Sequence, residues 1–181
     1  MSLQLKLGCM FSGKSTEIIR IVNTLSVIDK NILLINSKLD ERYSKNCICS
    51  HDKVKIDSLS LNKLEDVPSD KYEIAEYIII DEAQFFDDLY DFVSVAVDLN
   101  NKHVICVGLN GDSDRKNFGD IHKLIPIADD IHMLKAMCSL CKNGKPGIFS
   151  KKIVSINNDN TNIDIGSTDK YIPVCRICYN K

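Results

Sequence analysis

The segment at residues 8–15 constrains this chain more than any other. It reads Gly-Cys-Met-Phe-Ser-Gly-Lys-Ser and fits the pattern G-x-x-x-x-G-K-[ST], in which a glycine-rich loop binds phosphate groups. Alternating leucines at 3–7 predict a strand before the loop, and apolar residues spaced three or four apart at 18–28 predict an amphipathic helix after it. Because a helix N-terminus presents free backbone N–H groups, the sequence predicts nucleoside triphosphate binding.

Each position of this loop has an expected role. The residues predicted to bind phosphate are Gly8, Cys9, Met10, Phe11, Ser12, Gly13, Lys14 and Ser15. The two glycines allow a tight turn and a close approach of the backbone to the phosphate oxygens. The ammonium of Lys14 is expected to reach the outer phosphates, and the Ser15 hydroxyl is expected to coordinate Mg²⁺.

An acidic pair ends the second strongly predicted strand. The apolar run at 77–80 leads directly into Asp81 and Glu82. In phosphoryl-transfer sites a carboxylate at such a strand end helps to hold Mg²⁺, so Asp81 is the expected partner of Ser15. A second carboxylate at the same edge can accept a proton from an attacking hydroxyl, which makes Glu82 the candidate general base. The alternative is a pair of solvated acids after a strand.

Strands and helices alternate along most of the chain. Buried strands are predicted at 31–36, 77–80, 104–109 and 131–136, and helical segments at 60–72, 86–101 and 121–129. Pro68 is expected to end the first of these segments, and Leu99 is expected to face the core from the second. The alternation predicts an α/β, P-loop NTPase-like core with an open, mainly parallel sheet flanked by helices.

The composition changes at residue 137, where a cysteine-rich segment begins. It contains two C-x-x-C pairs, Cys138 with Cys141 and Cys175 with Cys178, separated by 33 residues. Four thiolates in two such pairs are the ligand set of a closed, structural Zn²⁺ site. A redox C-x-x-C or free thiols are the alternatives. We therefore expect a P-loop α/β domain at 1–136 and a zinc-ribbon-like lobe at 137–181.

Several other segments have two interpretations. The polar stretch at 37–55 is either an active-site segment or an ordinary surface loop. Arg115 and Lys116 either meet phosphate or form a solvated basic turn. Cys106 is expected to be a small core residue, whereas the C-x-C at 47–49 is assigned to a solvated loop rather than to a metal site.

Composition and charge exclude several functional classes. The 181 residues are 44% hydrophobic, enough for a core, and the net charge of −2 argues against a broad nucleic-acid interface. No apolar window is long enough to cross a bilayer, and the N-terminus lacks the pattern of a signal peptide. We expect a soluble protein of the cytoplasm or another reducing compartment. There, its eight cysteines would be metal ligands or free thiols.

Taken together, these motifs resemble the type II, cytosolic-type thymidine kinases of animals, bacteria and large DNA viruses. Residues 8–16 resemble the family's G-P-M-F-S-G-K-S-T, and residues 81–86 resemble its D-E-G-Q-F-F. Further blocks at 40–43, 51–52, 109–119 and 169–179 follow in the same order, so the resemblance runs nearly from end to end. It implies phosphorylation of thymidine at its 5′-hydroxyl, with ATP, Mg²⁺ and a structural Zn²⁺.

The resemblance also implies roles for individual residues. Glu82 would be the general base, and Arg42 would neutralise the transferring group. A lasso-like loop of the C-terminal lobe would hydrogen-bond the base through its backbone, at Asn162, Ile163, Asp164, Ile165 and Gly166. The side chains implied around the base and sugar are Met10, Phe85, Leu109, Ser113, Phe118 and Tyr171. The family is commonly homotetrameric and inhibited by dTTP, which implies the same here.

Three departures from the family pattern affect these expectations. Cys9 replaces a proline, with little expected effect. Ala83 replaces a glycine, which would strain the backbone if that position needs a positive φ. Ser113 replaces an aromatic residue against the substrate, so deoxyuridine or another deoxynucleoside is an alternative substrate.

Two other classes of function compete with a nucleoside kinase. The sequence Asp-Glu-Ala-Gln at 81–84 resembles the acidic box of a helicase-like ATPase. Such a motor would need a second motor domain and a basic strand-binding face, and this chain has neither the length nor the charge. A non-catalytic nucleotide- or zinc-binding module is the other alternative, although every catalytic position of the kinase pattern is filled.

Overall fold

The centre of the structure is a parallel β-sheet. The structure is a computed structural model that describes residues 1–39, 47–49, 54–153 and 170–181. Its strands are β1 (Ser2–Gly8), β2 (Ile32–Ser37), β3 (Cys47–Cys49), β4 (Lys55–Asp57), β5 (Leu59–Leu61), β6 (Tyr77–Asp81), β7 (His103–Leu109), β8 (Asp130–Leu134), β9 (Ala136–Met137), β10 (Pro146–Gly147), β11 (Phe149–Lys152) and β12 (Tyr171–Val174). Its α-helices are α1 (Lys14–Ser26), α2 (Ser69–Ile74), α3 (Leu89–Ser94) and α4 (Arg176–Tyr179).

Six strands form the main sheet in the order β5-β2-β6-β7-β1-β8, with every neighbouring pair parallel. Parallel pairing places the carboxyl ends of all six strands at one edge. In this register Gly8 of β1 lies opposite Leu109 of β7, and Asp81 of β6 lies opposite Asn36 of β2. The predicted mainly parallel α/β sheet is confirmed.

Apolar side chains cover both faces of this sheet. Along β6, Ile78 and Ile80 belong to one buried cluster, which also holds Phe86 and residues of α3. Ile79 points the other way, into a second cluster with Ile18 and other residues of α1. Burial on both faces explains why the central strands read as nearly continuous apolar runs rather than as alternating patterns.

The prediction of a helical segment at 60–72 is wrong in its first part. Leu59–Leu61 form strand β5, which pairs in parallel with β2 at the edge of the sheet. A 3₁₀ turn follows at Leu64–Asp66, and α2 begins directly after Pro68. Proline suits a helix start because its missing N–H would have no partner in the first turn. Pro68 therefore precedes a helix instead of ending one.

The helix predicted at 86–101 is shorter and changes its winding. It begins at Leu89, and a π-helical turn at Val95–Leu99 replaces its last α-helical turn. The hydrogen bond from Asn100 N to Val95 O, 3.0 Å long, closes this wider turn. A π-turn inserts one extra residue and so rotates the side chains that follow. Leu99 is 71% exposed, so its prediction as a core residue is wrong.

Two further segments differ from their sequence-based predictions. The C-x-C segment is strand β3, paired antiparallel with β4, and Ile48 is buried between its cysteines, so the solvated-loop interpretation is wrong. The predicted helix at 121–129 is a 3₁₀ helix at Ile121–Ile127. No helix in the described ranges is long and apolar enough to cross a membrane.

The C-terminal lobe is built from short elements around a small buried cluster. Strand β9 pairs with β10, and β11 pairs with β12, in two antiparallel ribbons. Cys138, Val174, Cys175 and Cys178 form the buried cluster, with Phe149 and Tyr179 packed against it. Four of the residues in or against this cluster are cysteines, including Cys141. The division at residue 136/137 stays a prediction.

Two leucines of the α3 region form a matched test of this packing. Leu89 is 0% exposed and Leu99 is 71% exposed. We expect Leu89→Ala to lower the free energy of unfolding by about 2–5 kcal/mol, because it leaves a cavity in the core. Leu99→Ala should change it by less than about 0.5 kcal/mol. Urea unfolding of both variants measures the difference. Equal losses in the free energy of unfolding would contradict the exposed position of Leu99 in the π-turn.

Candidate active site

The glycine loop at 8–15 joins the carboxyl end of β1 to the N-terminus of α1. Gly8 has no room for a side chain, since an added Cβ would lie 2.3 Å from Ser12 Oγ and 2.9 Å from Leu134 O. Gly13 has a φ of 85°, in the left-handed region that glycine adopts most readily. Phe11 also has a positive φ, of 63°. The loop therefore folds back tightly in front of the helix.

Two polar side chains are buried inside this loop. The Lys14 ammonium donates to the carbonyl of Cys9 at 3.1 Å and to that of Gly8 at 3.5 Å. Within the described part of the chain, the buried Ser12 hydroxyl has no hydrogen-bond partner. Because unpaired buried polar atoms are rare in native proteins, this loop has the character of a binding site for a polar ligand.

The acidic pair occupies the carboxyl end of β6, at the same edge of the sheet as the glycine loop, with β7 between β6 and β1. Asp81 and Glu82 are both buried, and Asp81 Oδ1 accepts a hydrogen bond from Glu82 N at 2.9 Å. Glu82 has a φ of 49°, so the left-handed residue of this turn is the glutamate. Ala83 has no positive φ and begins a 3₁₀ turn, so its methyl group causes no backbone strain there.

Gln84 links the acidic pair to the next strand. Its Nε2 donates to Glu82 Oε2 at 2.6 Å, and its Oε1 accepts from Leu109 N at 3.1 Å. Gln84 is not among the residues that the sequence motifs predict for the site. Its sequence signal was its position three places after the end of a buried strand, where a polar side chain needs hydrogen-bond partners.

The residues predicted to face the nucleoside lie on several different elements. Phe85 and Phe118 contact each other edge to face, with ring centroids 5.4 Å apart. Leu109 ends β7, and Ser113 lies in the loop that follows it. Tyr171 begins β12 in the C-terminal lobe. Arg42 and the predicted lasso residues 162–166 lie outside the described residues.

The C-terminal lobe contacts both the glycine loop and the loop that follows β7. Ser150 Oγ accepts a hydrogen bond from Met10 N at 3.0 Å, and the Cys9 thiol donates to Gly147 O at 3.2 Å. Asn110 Nδ2 donates to Ile148 O at 3.3 Å. Cys9 therefore has a packing role in place of the proline expected there, and burial raises the pKa of its thiol.

Arg115 lies in an exposed turn, and its side chain also contacts the C-terminal lobe. Its guanidinium lies 4.2 Å from the ring centre of Tyr179, and Tyr179 Oη donates to Ser113 O at 2.6 Å. Stacking of a guanidinium on an aromatic face is favourable, so this contact holds the loop after β7 against helix α4. Lys116 takes part through its backbone, since its N–H donates to Asp112 Oδ1 at 2.7 Å.

The four cysteines of the lobe form one cluster. The sulfur atoms of Cys138, Cys141, Cys175 and Cys178 all lie within 4.8 Å of one another. Tetrahedral Zn²⁺ with Zn–S bonds of about 2.3 Å requires sulfurs about 3.8 Å apart, so small movements would suffice. The two C-x-x-C pairs predicted as one ligand set are thus brought together.

Two thiols of this cluster have pKa values shifted in opposite directions. Backbone N–H groups, that of Cys141 foremost, lower the pKa of Cys138 to about 6. Burial and the neighbouring cysteines raise the pKa of Cys178 to about 12. Four thiolates this close repel one another, and a divalent cation removes that repulsion. By contrast, burial alone raises the pKa of Cys106, which is a core residue as predicted.

The chain is similar to known thymidine kinases over nearly its whole length. The chain matches the family profile described as "Thymidine kinase" over residues 1–179. It is 39% identical to the thymidine kinase of Choristoneura fumiferana entomopoxvirus, with 100% of this chain and 97% of that protein covered. It is 37% identical to thymidine kinase a of Arabidopsis thaliana (96% and 72% covered) and 36% identical to the cytosolic thymidine kinase of Homo sapiens (99% and 73% covered).

Proposed function

The chain belongs to the thymidine kinase family, and on this premise we propose that it transfers the γ-phosphoryl group of ATP to the 5′-hydroxyl of thymidine, giving dTMP and ADP. One observation carries the proposed mechanism. The glycine loop with Lys14 and the buried pair Asp81–Glu82 lie at the same carboxyl edge of one parallel sheet. A phosphate-binding group and a proton acceptor at one edge are what phosphoryl transfer to a hydroxyl requires.

The donor half of the proposed site is the glycine loop. The backbone N–H groups of residues 9–14 and the N-terminus of α1 would hold the phosphate chain of ATP. Lys14 would exchange its contacts with the Gly8 and Cys9 carbonyls for the outer phosphates, and Ser12 would gain a partner. Ser15 and Asp81 would hold Mg²⁺, an ion that neutralises the phosphate oxygens during transfer.

The acceptor half is centred on Glu82. Its carboxylate would take the proton of the thymidine 5′-hydroxyl as that oxygen bonds to the γ-phosphorus. The bond from the γ-phosphorus to the β–γ bridging oxygen breaks, and ADP leaves with its electron pair. Arg42 is proposed to neutralise the charge of the transferring group. Catalysis would consist mainly of positioning and charge stabilisation.

The base and sugar would lie against Met10, Phe85, Leu109, Ser113, Phe118 and Tyr171. The edge-to-face pair of Phe85 and Phe118 supports this assignment, because it supplies an aromatic wall next to Glu82. Residues 162–166 are proposed to cover the base and bind it through their backbone. Ser113 offers less apolar surface to the base than an aromatic residue would, which weakens selectivity for the thymine methyl group, so phosphorylation of deoxyuridine is the second candidate activity.

We propose that the four-cysteine cluster holds a structural Zn²⁺. All four ligands would come from the protein, which leaves no open position for chemistry. The ion would instead fix β12 and α4, and through Tyr179 and Arg115 the loop after β7. We further propose a cytoplasmic homotetramer with inhibition by dTTP, and no nucleic-acid partner.

Glu82→Gln tests the proposed base. Because glutamine cannot accept the proton, we expect transfer of label from [γ-³²P]ATP to thymidine to fall by about 10²–10⁴-fold. ATP affinity should stay within about threefold in equilibrium titrations, since the glycine loop is unchanged. Glu73→Gln, at an exposed glutamate of α2, is the matched control and should label normally. Undiminished labelling by Glu82→Gln would refute the assigned base.

A substrate panel tests the acceptor. We expect kcat/KM to be highest for thymidine and about fourfold or more lower for deoxyuridine, since burying one methyl group contributes about 0.8 kcal/mol. Deoxycytidine and deoxyguanosine should be poorer. A preference for deoxyguanosine would overturn the proposed acceptor, and ATP hydrolysis that needs nucleic acid and no nucleoside would favour a motor instead.

Removal of one cysteine ligand tests the zinc site. Protein produced in zinc-supplemented medium should contain about one zinc per chain by mass spectrometry of the metal, and Cys175→Ser should lose it. Three thiolates and a weak hydroxyl ligand bind Zn²⁺ poorly. Cys106→Ala, which removes a buried thiol of the main sheet, should keep the metal. Equal zinc content in Cys175→Ser and wild type would contradict the assignment.

A further inference from the structure

We infer that Gln84 is a positioning residue for the reaction, which acts by holding the Glu82 carboxylate in place. This inference rests on the proposed function, in which Glu82 accepts the proton. The observation that motivates it is a buried amide with one partner at each end: the Glu82 carboxylate and the backbone of β7.

The orientation of the amide follows from its partners. Leu109 N can only donate, so the amide oxygen must face it, at 3.1 Å. The amide nitrogen then faces Glu82 Oε2, at 2.6 Å. A glutamine can satisfy a donor on one side and a carboxylate on the other without rearranging. Methionine has a similar length but cannot form either bond.

The surroundings keep this amide from moving. Gln84 is only 3% exposed. Beside its Oε1, β7 carries Gly108, where an added Cβ would lie 2.5 Å from that oxygen. On its backbone side lies Gly119, whose added Cβ would approach Gln84 O at 1.9 Å. Both neighbouring segments therefore approach Gln84 more closely than any residue with a side chain could.

The hydrogen bond from Leu109 N fixes the direction in which the Gln84 amide meets the Glu82 carboxylate. Leu109 ends β7, which hydrogen-bonds to β1 on one side and to β6 on the other. Glu82 has a left-handed backbone, which is costly for a residue with a side chain, so its side chain starts from an unusual direction. A hydrogen bond tied to the neighbouring strand would select the one direction in which the carboxylate meets the substrate hydroxyl.

A purely structural role makes a different prediction. A buried amide that only joins β6 to β7 would affect stability and substrate affinity, because Leu109 is one of the nucleoside-facing residues. A positioning residue would affect the rate of the bound complex instead. Misplacing a reacting group by about 1 Å can lower a rate by about 10²-fold while binding is unchanged.

The test compares Gln84→Met with Ile121→Val. Ile121 Cδ1 lies beside the same Gly108 position, so Ile121→Val loosens the same packing and leaves the amide intact. With thymidine and ATP as substrates, we expect Gln84→Met to lower kcat by about 10- to 100-fold with both KM values within about threefold. Ile121→Val should change kcat by less than about threefold.

A second variant addresses the possibility that Gln84→Met does not fold. Gly108→Ala combined with Ile121→Val makes room for the methyl group on the Ile121 side. The new Cβ then contacts Gln84 Oε1, so the amide is displaced while Gln84 itself remains. We expect the same fall in kcat, with thermal unfolding confirming that the protein is folded. A kcat within threefold of wild type in a folded variant, or a loss confined to KM, would overturn the inference.

A double-mutant cycle separates this inference from the proposed function. Glu82→Asp withdraws the carboxylate by one methylene from the Gln84 amide. If Gln84 acts through Glu82, adding Gln84→Met to Glu82→Asp should lower kcat by less than about threefold further. If the losses in kcat are additive in the cycle, the positioning role of Gln84 is refuted while the proposed role of Glu82 stands. Full activity of Glu82→Gln would instead refute the base on which the inference rests.

Discussion

Parallel pairing of β1, β7 and β6 is the constraint on which the rest of this structure depends. It brings the ends of three strands to one edge, and each end carries a different polar element. Gly8 begins the glycine loop, Asp81 begins the acidic turn, and Leu109 supplies the N–H that anchors Gln84. A one-strand change of order would separate these groups. The apolar clusters on both faces of the sheet stabilise that strand order, so the packing of the core also determines the geometry of the site.

The carboxyl edge of the sheet holds several buried polar side chains, each of which has a hydrogen-bond partner. Lys14, Asp81, Glu82 and Gln84 are all buried there, although buried polar groups cost about 1–3 kcal/mol each when they lack good partners. Glu82 adds a left-handed backbone. Such features persist where the surrounding structure enforces them, and they concentrate at functional sites. The C-terminal lobe adds to this enforcement, because Ser150 and Gly147 hydrogen-bond to the glycine loop.

Much of the fold and part of the site could be predicted from the sequence because the signals are local. The glycine loop lies between a strand and a helix, the acidic pair ends an apolar run, and the cysteines come in pairs of fixed spacing. The exposure of Leu99 could not be predicted, because the π-turn at Val95–Leu99 departs from the α-helical period. Strand β5 pairs at the sheet edge over only three residues, too few for a periodic pattern.

The contacts that join distant segments could not be predicted from the sequence either. The hydrogen bond of Gln84 to Leu109 depends on the register of β6 against β7, and the stacking of Arg115 on Tyr179 spans 64 positions of the chain. Periodicity describes one segment at a time and says nothing about such pairs. Local patterns therefore predicted Lys14, Asp81 and Glu82 as candidates for the site, but not the contacts of Gln84 and Arg115.

A crystal structure with a bisubstrate analogue, in which adenosine and thymidine are joined through their 5′-oxygens by a short polyphosphate chain, is the most direct test of the single shared site. We expect the phosphates to lie on the backbone N–H groups of residues 9–14. The thymidine 5′-oxygen should then lie within hydrogen-bonding reach of the Glu82 carboxylate, at about 2.6–3.2 Å. A thymidine group bound away from Glu82 while the phosphates occupy the loop would contradict the proposed convergence of donor and acceptor.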